Sequence, residues 1–141
     1  MDTTTLTTRA NGQQIVASWF NQIKTLLGTA VDYVVVATEA IGASGEISSS
    51  ANIKQIRRVA GNAGAQTASN TPFGTTTTNF VDGMEITLIG TDNTNTLTIN
   101  AVDTAWGVQS PTGTIVLGQY YAITYICDTT AQRFIEKSRN S

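Results

Sequence analysis

Asp82 and Glu85, three residues apart at the head of a β-patterned run, are the only close carboxylate pair before a strand. Two carboxyl groups can share acid and base or nucleophile roles in glycoside hydrolysis. A hairpin-turn aspartate and an outward strand glutamate account for the pair at least as well. No other residue supplies catalytic chemistry. The chain has no histidine, which removes Ser/His/Asp and Cys/His nucleophile systems, imidazole acid–base work and nearly all zinc sites. Cys127 is the single cysteine, so no intrachain disulfide forms; its apolar strand setting marks it as a buried, inert thiol. Asp92-Asn93-Thr94-Asn95 is oxygen-rich but lacks the glycine and the distal bidentate glutamate of a calcium loop. It reads as a polar hairpin turn. Gly42-Ala43-Ser44-Gly45 lacks the Lys-Ser/Thr that follows a phosphate-binding loop. The expectation is a non-enzymatic protein without cofactor or metal.

Binding chemistry is more plausible than catalysis. Trp106 and the Tyr120, Tyr121 and Tyr125 group are candidate platforms, since aromatic faces beside Thr and Asn can stack on sugars, although core or interface filling is the commoner use. The one basic cluster is Lys54, Arg57 and Arg58. Net charge is −2 with a pI near 4.9, and no aromatics interleave with the cluster, so it reads as a solvated face and no nucleic-acid partner is expected. No segment approaches the roughly 18 apolar residues of a membrane span. Residues 1–5 have neither a basic nor an apolar leader region. The expectation is a chain made in the cytoplasm, with no membrane partner.

The length of 141 residues suits one domain with a real core. Charged residues make up 13% and apolar residues 40%; the charge content is about half the usual level. Thr (25), Asn (10) and Ser (9) fill the gap and account for roughly a third of the chain. Low charge with moderate hydrophobicity argues against disorder. A surface of hydroxyls and amides also allows close contact with another protein without stranding charges.

Residues 1–10 form a Thr-rich arm with nothing to bury. A helix is predicted over 11–27, opened by Asn11 as N-cap with Gln14 three residues on, and stopped by Gly28. Ile15, Val16, Trp19, Phe20, Ile23, Leu26 and Leu27 make a wide apolar stripe. Val16, Trp19, Ile23 and Leu26 also fit two heptad steps, so the stripe suits either packing on its own domain or a short inter-chain bundle. Strands are expected over 31–38 and, less clearly, 53–60, with a small-residue loop from Ala40 to Ala51 between them. Residues 61–79 are low in complexity, with Pro72-Phe73-Gly74 as a turn carrying one aromatic anchor. After the Asp82-Gly83 turn, strands follow near 84–90, 96–102, 114–117, 120–127 and 132–137. Short strands at this spacing, separated by turn residues, predict a mainly β protein, a β-sandwich or jelly-roll-like domain over 29–141 preceded by an arm and helix over 1–28.

Several stretches carry a resemblance. Arg58-Val59-Ala60-Gly61-Asn62-Ala63-Gly64-Ala65-Gln66, Thr71-Pro72-Phe73-Gly74, Asp82 to Thr91, Asn95-Thr96-Leu97-Thr98-Ile99 and Phe134-Ile135-Glu136-Lys137-Ser138-Arg139 resemble the β-rich module that ends many tailed-bacteriophage fibre and virion-surface proteins. Leu6-Thr7-Thr8-Arg9-Ala10-Asn11-Gly12-Gln13, followed by Trp19-Phe20-Asn21, is similar to the segment with which such proteins start. The match covers about residues 56–139 and 6–27. It implies a homotrimeric virion component, made in the host cytoplasm and displayed on the virion surface. Its partners would be its own copies and the major capsid protein or another virion protein. Attachment and subunit contacts would involve Leu6, Arg9, Asn11, Val16, Trp19, Phe20, Ile23 and Leu26. Long fibres have a shaft between these two ends and this chain has none, which favours a capsid cement or decoration protein or a short head fibre. The alternative is a receptor-binding fibre tip reading a host glycan through Trp106, Tyr120 and Tyr121.

Overall fold

The computed structural model describes residues 34–35 and 37–140. The N-terminal arm and predicted helix lie outside them, and with them Leu6, Arg9, Asn11, Val16, Trp19, Phe20, Ile23 and Leu26. The chain is mainly β, and the described residues form ten strands: β1 (Val34–Val35), β2 (Glu39–Ile41), β3 (Lys54–Gly61), β4 (Gln66–Thr67), β5 (Glu85–Gly90), β6 (Leu97–Ile99), β7 (Val108–Gln109), β8 (Ile115–Leu117), β9 (Ala122–Asp128) and β10 (Arg133–Asn140). Among the described residues the only helical element is a single 3-10 turn over Thr77–Asn79.

Seven strands form one sheet in the order β1-β3-β5-β9-β10-β7, with β2 also on β3; β4, β6 and β8 form a second. The two sheets curl into a half-barrel. Period-two alternation assigns the faces. Ile86 and Leu88 of β5, Ile123, Tyr125 and Cys127 of β9, and Phe134 of β10 point inward and are buried. Thr87 and Thr124, paired across β5 and β9, sit on the other face and share a 2.9 Å hydroxyl hydrogen bond. Leu97, Ile99, Ile115 and Leu117 close the core from the second sheet. Phe134 is the hub. Its ring lies 4.5 Å from Phe73, 5.0 Å edge-on from Phe80 and 6.4 Å from Trp106. Offset and edge-on arrangements of this kind add to plain area burial.

Several expectations need correction. Ala40 is not in a loop: Glu39–Ile41 pairs in parallel with Val59–Gly61 and extends the large sheet. The low-complexity stretch contributes β4, which pairs with β6. The Asp92–Asn95 turn is not a hairpin. β5 pairs with β3 and β9, whereas β6 pairs with β4 and β8, so the turn carries the chain from one sheet to the other. Asp82-Gly83 is likewise no hairpin; Gly83, at φ 75°, places its N–H on the Cys127 carbonyl at 2.8 Å. The basic cluster is not a solvated face throughout. Arg57 lies inward beside Gln55 and is 7% exposed, its Nη2 donating to Gln55 Oε1 at 3.0 Å. Alternation along β3 puts Lys54 and Arg58 out and Arg57 in.

Phe134→Ala is expected to cost about 3–5 kcal/mol, because three aromatic neighbours lose their common partner and the surrounding strands cannot collapse onto the space. Urea unfolding measures this. A loss below about 1 kcal/mol would show that the aromatic cluster does not hold the sheets together.

Candidate functional site

The carboxylates singled out for chemistry are engaged in structure. Asp82 accepts from the Thr129 N–H and hydroxyl at 3.0 and 3.3 Å, bracing the turn between β9 and β10. Glu85 faces outward from β5 and accepts from Lys137 Nζ at 2.6 Å. That hydrogen bond and the nearby Lys54 hold its carboxyl below the ordinary range. Asp92 accepts from the N–H groups of Thr94 and Asn95 and from Asn95 Nδ2, at 2.6–2.9 Å. These bonds, the Asn95 N–H first, lower its pKa. This is an Asx turn. Among the described residues no group of three metal-capable side chains comes together. Cys127 is buried, and desolvation pushes its thiol up to about 11, with Asp82 and Asp128 adding to the effect. It is a poor nucleophile at neutral pH.

The candidate platforms separate. Trp106 is 7% exposed and packs 4.8 Å from Phe80, so it is a core residue and not a surface platform. Tyr125 is fully buried. Tyr120 and Tyr121 are 77% and 44% exposed. They sit in the turn between β8 and β9, which is bound on both sides. The Tyr120 N–H donates to the Gly90 carbonyl at 3.1 Å, the Gly90 N–H to the Tyr121 carbonyl at 2.8 Å, and the Gln119 N–H to Asn93 Oδ1 at 2.8 Å. The neighbouring connections join the same cluster, since the Gly61 N–H reaches the Asn95 carbonyl at 2.7 Å and the Gln66 N–H the Thr96 carbonyl at 2.9 Å. Sequence reasoning therefore found the two tyrosines but not Asn93, whose role depends on a contact across 26 residues of chain.

A second polar cluster was not anticipated. Glu136 and Arg139 on β10 form an ion pair at 2.8 Å. Ser110 and Thr112, in the turn between β7 and β8, donate to Glu136, and Arg139 Nη2 donates to Ser110 Oγ at 2.6 Å and the Gly113 carbonyl at 2.8 Å. The cluster fastens the last strand to the turn that leads into the second sheet. Arg139, then Ser110 and Thr112, hold the Glu136 carboxyl at about 2 against burial. A shallow groove of about 390 Å³ lies alongside, lined by Val102, Val108, Pro111 and Ile135 among others.

No family model, no curated protein and no solved structure matches this chain.

Glu136 makes stability depend on acid. A carboxyl held below its unfolded value of 4.5 stabilises the fold fully above that value, and the contribution disappears as pH falls toward about 2. Glu136→Gln is expected to lower stability at pH 7 by about 1.5–3 kcal/mol, the range for hydrogen bonds to a charged group. The gap from wild type should close between pH 4.5 and 2. Urea midpoints across that range test it, and a gap that persists unchanged at the acid end would assign the loss to packing instead.

Proposed function

We propose that this chain is a non-enzymatic structural protein of a tailed-bacteriophage virion. It is a homotrimeric capsid cement or decoration protein, or a short head fibre, anchored through its N-terminal segment to the major capsid protein or another virion protein. The observation that carries this reading is the order of motifs along the chain. An N-terminal segment similar to those of virion-surface proteins is followed by a β-rich stretch similar to the module that ends them. A mainly β domain built from residues 34–140 accords with that order. The apolar stripe over 15–27 supports it from energetics. It contains seven apolar residues, each contributing roughly 1.5–3 kcal/mol when fully buried, and such a face left on a monomer's surface marks an interface. Low charge suits close packing of identical chains about an axis, and three-fold closure is what the resemblance implies.

The experiment has two parts. Deleting residues 1–10 is expected to leave a folded trimer that no longer decorates particles lacking the protein; decoration at normal occupancy would place attachment elsewhere. Sedimentation of the full chain is expected to show a trimer, and Ile23→Asp a monomer or aggregate. A stable wild-type monomer of 14.9 kDa at micromolar concentration would overturn the trimer.

A further inference from the structure

The outer face of the large sheet carries a small pit of about 170 Å³, lined by Lys54, Glu85, Thr87, Thr124, Lys137 and Ser138 among others. Strand register brings these residues together. Lys54 on β3 stands opposite Glu85 on β5, Thr87 opposite Thr124 on β9, and Thr124 opposite Ser138 on β10. An irregularity in β10 completes the set. Its pairing with β9 shifts between Glu136 and Ser138, which makes Lys137 an extra residue. On a regular strand, adjacent side chains point to opposite faces. Here Lys137 and Ser138 both line the pit, the re-aiming that a β-bulge achieves.

The pit does not balance its own charges and donors. Glu85 accepts from Lys137 Nζ at 2.6 Å, and Lys54 is close enough to help keep its carboxyl ionised. Among the described residues Lys54 has no ion-pair partner of its own. Two ammonium groups thus face one carboxylate, a surplus of one positive charge. Arg58, the next cation along that face of β3, is four residues from Lys54, roughly 13 Å. That exceeds the screening length of about 8 Å at physiological salt. Hydroxyl protons are in surplus too. Thr87 and Thr124 share one hydrogen bond at 2.9 Å, which uses one of their two protons and leaves the second for another acceptor. Ser138 adds a third hydroxyl.

A single missing negative charge, converging ammonium and hydroxyl donors, and room for few heavy atoms describe a carboxylate. A phosphate or sulfate dianion would exceed the surplus beside Glu85. The border of the pit says what carries that carboxylate. Ile126 pairs with Glu85 on one side and with Ile135 on the other, and Ile135 is 38% exposed. An acidic side chain followed by an apolar one covers both the pit and this apolar pair.

We infer that the pit between Lys54 and Lys137 is a recognition site for an acidic side chain of a partner protein. The two lysines and the threonine hydroxyls take its carboxylate, and Ile126 and Ile135 take an apolar neighbour. The inference stands apart from the virion reading, because the site is complete within β3, β5, β9 and β10. An NMR titration of the full-length protein tests it, with acetyl-Glu-Leu-amide, acetyl-Gln-Leu-amide, acetate and phosphate as probes. The acidic dipeptide is expected to shift the amides of Thr87, Thr124 and Ser138 saturably, about fivefold or more tightly than acetate. The glutamine dipeptide should leave them in place. Lys54→Met, at an exposed position, should weaken the acidic dipeptide by about tenfold and leave amides elsewhere unchanged. Glu85→Gln raises the surplus to two charges, so phosphate should then bind more tightly than acetate. A purely structural role for Glu85 produces no such reversal. No saturable shift, equal affinity for the acidic dipeptide and acetate, tighter binding of phosphate than acetate by wild type, or unchanged binding in Lys54→Met overturns the proposal.

Discussion

The structure depends on two places where backbone touches backbone. β3 and β5 each end in a glycine, Gly61 and Gly90, at the point where the chain leaves the large sheet. A Cβ on Gly90 would fall 2.1 Å from the Gly118 carbonyl oxygen, and one on Gly61 2.1 Å from that of Gly64. No side chain fits in either gap. Close approach is what lets the Gly90 and Tyr121 backbones bond, which fixes the turn between β8 and β9 against the end of β5. Two sheets can then share one core, because their connecting segments are bound together at the rim. The inward residues of both sheets are fully buried as a consequence.

Much of this was readable from residue pattern, and the parts that were not share a cause. Strands five or more residues long with Ile, Thr, Tyr and Val at alternating positions were legible, as were Cys127 and Phe73 as buried residues, because period-two burial is written locally. The short strands β2, β4 and β7 were not. Unlike β6 and β8, whose Leu-Thr-Ile and Ile-Val-Leu are rich in β-favouring residues, these have no local signal and exist because a neighbour offers hydrogen bonds: Ala40 beside Ala60, Gln66 beside Leu97, Val108 beside Phe134. The polar turn at Asp92 was legible as a turn but not as a change of sheet. Pairing partners decide that, and they lie about thirty residues away in each direction. The Glu136–Ser110 contact is invisible for the same reason.

Arg57 shows the limit from the other side. Its neighbours Lys54 and Arg58 are exposed, and a cluster of cations reads as a wet surface. Strand geometry overrides composition. The face that holds Gln55 and Val59 must also hold Arg57, and the penalty of burying a polar group is reduced by the Gln55 amide. Gln55 in turn donates to the Ser50 and Asn52 carbonyls, so a polar pair inside the rim orders the loop ahead of β3.

The use of charge connects the fold to the surface it presents. Glu39 accepts from Ser48, Asp82 from Thr129, Asp92 from its own turn, Asp128 from the Ala131 N–H, and Glu85 and Glu136 from Lys137 and Arg139. Each of these carboxylates satisfies a donor in a turn or loop or on a strand of the large sheet, where a charged acceptor is stronger than a neutral one. A domain with few charges therefore uses them to brace its connections, and its outward faces are left to threonine, asparagine and serine. Such faces need little desolvation energy to approach one another, since no ion loses its water in the contact. The same economy leaves the end of the domain around Tyr120 almost uncharged. The one carboxylate in the connections 61–66, 91–96 and 118–121, Asp92, is committed to holding its own turn in shape.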